Sequence, residues 1–333
     1  MMRVHTLAWR LGLATACNRF FCHQAQALVS KGVCVVVGAG PGLGNSCALK
    51  FARDGYTVAA VCRSVRVHSI TGDAARKEAG IAGARVERPG CVSTSERPHL
   101  ARPRFAPFGL RFRTLRLQAS SYATTQTALT GLGPGGHRCY EMDSTDKAAV
   151  VSTFEKVRAE LGFVNVLVYN AGGGGFGKLP MDIDSEDFKA SFETSCVGAL
   201  LCSQQVIPHM LASQGGGGCR VPKKGTIIYT SATSAFRGGA STAQFACGKF
   251  ALRALSQSVA KAYGQFGVHA VHVRLDCILD TPGYVEKMPD MFAENKMAST
   301  DDISQTYLDL VNQSPLAWTN EIDIRPFQEG WSC

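Results

Sequence analysis

The chain has 333 residues, of which 45% are hydrophobic and 18% charged, with a formal net charge of +9. That composition lets it bury a substantial core and is too polar for a membrane protein, since no uninterrupted apolar run approaches the roughly 20 residues that span a bilayer. Its 13 cysteines are scattered through predicted strands and helices, Cys34, Cys47, Cys62, Cys196 and Cys202 among them, without CxxC or Cys/His spacing; they read as reduced, mostly buried thiols with no metal site.

Taken in chain order, residues 1–30 read as an arm outside the fold. No Asp or Glu precedes Asp54, while Arg3, Arg10 and Arg19 are interleaved with Leu7, Trp9, Leu11, Leu13, Phe20 and Phe21. The pattern is similar to a mitochondrial presequence. A matrix location is therefore expected, with an ordinary N-terminal arm and a cytoplasmic protein as the alternatives. The β-branched run from Val33 then breaks into Gly38-Ala-Gly-Pro-Gly42-Leu43-Gly44, followed by a helical pattern over 45–53 and a second strand over 56–62. A strand, a tight turn and a helix N-terminus at this spacing form a phosphate cradle. Gly38 permits the exit from the strand, Gly42 removes a Cβ from the path of a pyrophosphate, and Gly44 lets the helix lie against the sheet. A bare structural turn is the alternative.

The next segment, over about 66–134, departs from the pattern. It is rich in Arg and Pro (Arg85, Arg88, Arg97, Arg102, Arg104; Pro89, Pro98, Pro103, Pro107) and far longer than a crossover requires. No recognised nucleic-acid module surrounds it, so it reads as a basic, flexible surface insertion, with a nucleic-acid or membrane contact as the weaker alternative. An error of gene prediction is the other reading. Beyond it the alternation resumes: strand 138–142 leading to Asp143, helix 147–161, strand 164–169, a long helical region 185–211, strand 225–230, helix 242–263, strand 268–275, helix 301–312 and an apolar stretch over 318–324. The fold class is α/β, a Rossmann-like doubly wound parallel sheet forming a single domain over 31–330, interrupted by the long basic insertion. Ligands of such sheets bind at the carboxyl ends of the strands.

These elements, taken with Gly38-x3-Gly42-x-Gly44, Asp143, Tyr169-Asn170-Ala171-Gly172 and Thr281, resemble the short-chain dehydrogenase/reductases from about residue 31 to 330. The resemblance implies that Asp143 contacts an adenine ring, that Asn170, Ala171 and Gly172 brace the sheet beside a cofactor, and that Thr281 touches a nicotinamide amide. The second strand ends at Cys62 followed by Arg63, with no carboxylate for a ribose 2′-hydroxyl, which favours NADP and leaves NAD open.

Where the family has Tyr-x-x-x-Lys, this chain reads Phe245-Ala-Cys-Gly-Lys249. The family's serine, thirteen residues before the tyrosine, corresponds to Ala232 between Ser231 and Thr233, and its asparagine corresponds to Ser195. Only Lys249 is retained, with a role in binding the nicotinamide ribose. Ser231 and Thr233 read as loop hydroxyls satisfied by backbone, the alternative being that either reaches a substrate oxygen if the loop is shifted by one residue, and Tyr169, Tyr229, Tyr284 and Cys247 are the other proton donors considered.

Two functions remain open. One is an NAD(P)-dependent oxidoreductase with an atypical active site, transferring hydride to or from a small apolar carbonyl or alcohol. The other is a catalytically impaired nucleotide-binding protein, a redox sensor or an assembly partner. Tyr284, Met288, Met291 and Phe292 are expected to wall the substrate pocket, and a homo-oligomer through the long helices is what the resemblance implies.

Overall fold

The computed structural model describes residues 30–63, 118–132, 135–216 and 222–329, all within one compact unit. The readings made for residues 1–29 and 64–117 lie outside the described residues. Seven parallel strands form one sheet: β1 (Val33–Val37), β2 (Thr57–Cys62), β3 (Arg138–Glu141), β4 (Val164–Tyr169), β5 (Gly225–Ala232), β6 (Val268–Leu275) and β7 (Glu321–Ile324), in the order β3-β2-β1-β4-β5-β6-β7. The helices are α1 (Leu43–Arg53), α2 (Gln118–Thr130), α3 (Lys147–Leu161), α4 (Ser185–Phe192), α5 (Gly198–Ala212), α6 (Ala243–Tyr263), the short α7 (Pro282–Lys287) and α8 (Pro289–Ala293), and α9 (Thr300–Asn312).

The unbroken apolar run of β1 follows from burial on both faces of the sheet. Val33, Val35 and Val37 join one core with Phe154 of α3, Val206 of α5 and Leu252 of α6. Cys34 and Val36 face the opposite core, with Phe51 of α1, Leu129 of α2 and Tyr307 of α9. A period of two along the strand thus feeds two hydrophobic layers at once.

Three differences from the sequence reading have physical causes. Helix α2 lies inside the range read as insertion, yet Leu129 is fully buried and Thr125 Oγ1 bonds Asn45 Oδ1 at 3.0 Å. Its Ser- and Thr-rich sequence has almost no amphipathic stripe, so periodicity did not reveal it. The region 185–211 is not one uniform helix: a π-helical turn over Glu193–Val197 separates α4 from α5. The last apolar stretch becomes the short strand β7, paired parallel to β6.

Two histidines on β6 make this sheet acid-sensitive. His269 and His272 are fully buried, and burial pushes both down to about 4. The unfolded chain takes up these protons near pH 6.5, so stability is complete above that pH and is lost as the pH falls toward 4, by roughly 3 kcal/mol for each group. Urea midpoints measured between pH 7 and 4.5 are expected to fall steeply. The slope should roughly halve in His269→Gln, which retains a donor for the Thr319 carbonyl that His269 Nε2 meets at 2.8 Å.

Candidate functional site

The carboxyl ends of β1, β2, β4, β5 and β6 open into one cleft of about 870 Å³, at the point where strand order reverses between β1 and β4. The glycine turn forms its floor. Gly38 has φ +86°, and a Cβ there would stand 2.7 Å from the Ala171 amide nitrogen. A Cβ on Gly44 would collide with the Gly38 carbonyl oxygen, so α1 sits directly on the strand exit. That same carbonyl accepts Asn170 Nδ2 at 3.1 Å, and Asn170 N donates to Val37 O at 2.8 Å. The Asn170 loop therefore locks the turn in place, and Ala171 and Gly172 continue it along the cleft wall.

At φ +125° the missing Cβ of Gly42 points at Thr281, whose Cγ2 would be 2.6 Å away, so the absence of a side chain here admits Thr281. The open position is Gly40: a Cβ there meets nothing within 4 Å, and the residue lines the cleft. Leu43 begins α1 with no side-chain cap, whereas Asp146 and Asp184 occupy the first N–H groups of α3 and α4. Asn45 N and Ser46 N donate to the Gly40 and Gly42 carbonyls at 3.2 and 3.0 Å, which leaves the N–H groups of Leu43 and Gly44, beside an unobstructed glycine, to suit an anion.

On one flank lie Cys62, Arg63 and Asp143. Burial pushes the Cys62 thiol up to about 11, and its Sγ donates to the Ala39 carbonyl at 3.2 Å. Asp143 Oδ1 accepts from Thr145 N and Oγ1 at 2.9 and 2.7 Å, which fixes the loop after β3. On the other flank the ends of β5 and α6 bring Ser231, Thr233, Phe245 and Lys249 to the wall. Lys249 is fully buried, and its Nζ donates to the Thr230 carbonyl at 3.0 Å. No carboxylate pairs with it among the described residues, and burial brings its ammonium down to about 8. The Phe245 ring lies 5.6 Å from that Nζ and packs on Phe176 with centroids 4.5 Å apart.

Ser195 is placed elsewhere. It is buried in the π-helical turn, where a Cβ on Gly248 would come within 2.9 Å of it, and it is not among the residues lining the cleft. Two of the tyrosines considered as proton donors are likewise inside the core. Tyr169 OH donates to the Thr194 carbonyl at 2.5 Å and Tyr229 OH shares a hydrogen bond of 2.7 Å with Ser203, so neither hydroxyl is presented to the cleft. Tyr284 and Met291 line it; Met288 and Phe292 do not. Asn45 and Thr125, which hold α2 against the glycine turn, were not singled out from the sequence, because their contact joins residues 80 positions apart. Among the described residues no group of three or more His, Cys, Asp or Glu side chains is placed to hold a metal, and no helix is long and apolar enough to cross a membrane.

A sequence profile of the short chain dehydrogenase family matches residues 104–293, more than half of the chain. The chain belongs to the short chain dehydrogenase family. It is 28% identical over 184 residues to an uncharacterized short-chain type dehydrogenase/reductase of Sinorhizobium fredii, covering 55% of this chain and 66% of that protein. It is 27% identical over 158 residues to the cis-4-hydroxycyclohexanecarboxylate dehydrogenase of Sinomonas cyclohexanicum, covering 46% and 57%. The chain thus matches less than two thirds of the length of these relatives. In fold it is similar to a metagenomic short-chain oxidoreductase solved with NADP, at TM-score 0.61 and 19% identity over 90% of this chain and 99% of that one. An alcohol dehydrogenase of the archaeon Thermococcus sibiricus, solved with 5-hydroxy-NADP, gives TM-score 0.62 and 17% identity over 91% and 99%.

In this family member the buried ammonium has a measurable cost. With the folded value near 8 and the unfolded value near 10.5, the unfolded state holds the proton more tightly. Burial of Lys249 therefore destabilises the fold by roughly 3 kcal/mol below pH 8, and the cost disappears as pH rises toward 10.5. Lys249→Met is expected to raise the melting temperature of the ligand-free protein at pH 7 and to leave it nearly unchanged at pH 10.5, as followed by circular dichroism.

Proposed function

We propose that the protein is an NADP-dependent oxidoreductase of the short-chain type, transferring hydride to or from a small apolar carbonyl or alcohol, with an active site in which the usual phenol is replaced by Phe245. One observation carries this reading: a single cleft at the strand-order reversal collects the glycine turn, the Asn170 loop, Thr281 and the buried Lys249. The residues fit a dinucleotide. The space beside Gly40 and the uncapped start of α1 suit a pyrophosphate, and the Lys249 ammonium, with one donor committed to Thr230 O, has further donors for ribose hydroxyls.

When bound, a nicotinamide supplies or takes the hydride. The chain's own part is to hold and orient. Asn170 keeps the Gly38 carbonyl fixed, Thr281 closes over Gly42, and the Phe176–Phe245 pair makes one side of the substrate space apolar and free of acid. The preference for NADP over NAD is supported by the end of β2, where Cys62 and Arg63 stand on the cleft wall while Glu141, opposite Cys62 on β3, is not among the residues lining the cleft. Exposed Phe192, Leu200 and Phe250 on α4, α5 and α6 support self-association through these helices.

Calorimetry with NADPH tests the cradle. The protein is expected to bind NADPH, and Gly40→Ala, whose Cβ has space in the ligand-free cleft, is expected to weaken binding at least tenfold while leaving the melting temperature unchanged. Equal affinity in that variant would remove the phosphate site from the glycine turn. For the active site, Phe245→Tyr with Ala232→Ser restores the family's phenol and hydroxyl; a gain of about a hundredfold or more in NADPH-dependent ketone reduction is expected. No gain, in a variant that still binds NADPH, would mean that more than these two groups separates this site from a carbonyl reductase.

A further inference from the structure

On the reading proposed above, oxidation of an alcohol releases a proton, and Phe245 has no atom to receive it. A polar cluster stands in the same cleft. Thr233, the first residue after β5, and Asp276, the first after β6, both line the wall. The Thr233 hydroxyl donates to Asp276 Oδ1. Asp276 Oδ2 is paired with Arg325 at 2.8 Å, the two side chains being 8% and 7% exposed. Arg325 reaches Asp323 at 2.7 Å, and Asp323 pairs with Arg274. The Arg274 guanidinium lies 4.2 Å from the Phe236 ring centroid, with Arg253 at 3.7 Å from it.

Two carboxylates and two guanidiniums balance in this cluster, but desolvating them is expensive, and apolar packing would fasten β6 to β7 at less cost. Its distinguishing feature is that it delivers one carboxylate to the cleft through a hydroxyl. A threonine hydroxyl has one proton and two lone pairs. With that proton committed to Asp276, Thr233 Oγ1 meets a substrate as an acceptor. Ser231, almost completely buried and with no hydrogen-bond partner for its Oγ, lines the same stretch and has its proton to donate. A substrate hydroxyl beside Thr233 would donate to its Oγ1.

We propose that Thr233 and Asp276 form the proton path of this site: Thr233 takes the proton of a substrate alcohol while passing its own to Asp276, and Arg325 positions the carboxylate. The proposal rests on the hydride-transfer reading. In the oxidative direction the substrate O–H and C–H bonds break, the hydride leaves the carbinol carbon for an oxidised nicotinamide dinucleotide, the proton passes through Thr233 Oγ1 to Asp276 Oδ1, and a carbonyl product remains. In reduction the protonated carboxyl returns the proton by the same route. The reactant class is a secondary alcohol or its ketone with an apolar body, since Phe176, Phe245, Tyr284 and Met291 bring large apolar side chains to the same cleft.

The test uses the full-length protein, NADP+ and three probes: cyclohexanol, 1-phenylethanol and 2-octanol. Wild-type protein is expected to oxidise at least one of them. Thr233→Val, which leaves the Asp276–Arg325 pair intact, should lower kcat by a hundredfold or more with KM changed less than tenfold. Thr233→Ser should recover activity to within tenfold, and Asp276→Asn, if it folds, should match the valine variant in kcat. All three variants should bind NADP+ as the wild type does. Undiminished kcat in Thr233→Val overturns the proposal, as does wild-type protein that binds NADP+ and oxidises none of the probes. Failure to bind NADP+ or NAD+ at all instead sinks the reading on which the proposal stands.

Discussion

The structure depends on the contact between the exit of β1 and the first turn of α1. The Gly38 carbonyl is met from two sides, by Asn170 Nδ2 and by the backbone of Gly44 at a distance that leaves no room for a Cβ. Two consequences follow. The helix axis is brought close enough to the strand end for its N-terminal N–H groups to face the cleft, and the loop after β4 is tied to the loop after β1 across the reversal of strand order. Because β1 and β4 are neighbours in the sheet, a displacement of one glycine would be felt on both sides of the cleft, which is why the turn tolerates so little side-chain volume.

The sheet was largely legible in the sequence, since burial on both faces forces runs that are apolar throughout at Val33–Val37 and nearly so at Val164–Tyr169, and such runs survive any detail of loop geometry. The helices that pack by an apolar stripe, α1 and α9 above all, were equally visible. What escaped reading has a common cause: its order comes from contacts distant in sequence. Helix α2 is Ser- and Thr-rich and is fixed by Leu129 and by the Thr125–Asn45 bond. The π-helical turn places Ser195 against Gly248 on another helix.

The site shows the same division. Gly38, Gly44, Asn170 and Lys249 were recognisable because each belongs to a local pattern of strand, turn and helix. The role of Gly42 was not, because it is set by Thr281, more than 200 positions away, and the direction of a missing Cβ depends on φ, which sequence does not state. The pairing of Asp276 with Arg325 is of this kind too: nothing near Asp276 in the sequence announced a guanidinium arriving from the end of β7.

Arg325, behind Asp276, and Lys249, on the cleft wall, carry different energetics, and the difference bears on what each is for. Arg325 is neutralised by Asp276 and Asp323, so it sets up little net field and serves as a rigid brace. Among the described residues Lys249 donates to a peptide carbonyl, lies near an aromatic ring and pairs with no carboxylate, so its charge is held in a poorly screened place at the expense of the fold. A lysine is free to lose its proton or to be replaced by an apolar residue at lower cost. On the proposed cofactor reading, the compensation for this charge lies outside the polypeptide, in a polar oxygen or anion that enters the cleft from the glycine turn. The larger the stability cost of that ammonium in the empty protein, the larger the share of binding energy a ligand recovers by satisfying it. On that reading, burial of the Lys249 ammonium and openness beside Gly40 are two parts of one arrangement, the first supplying affinity and the second supplying room.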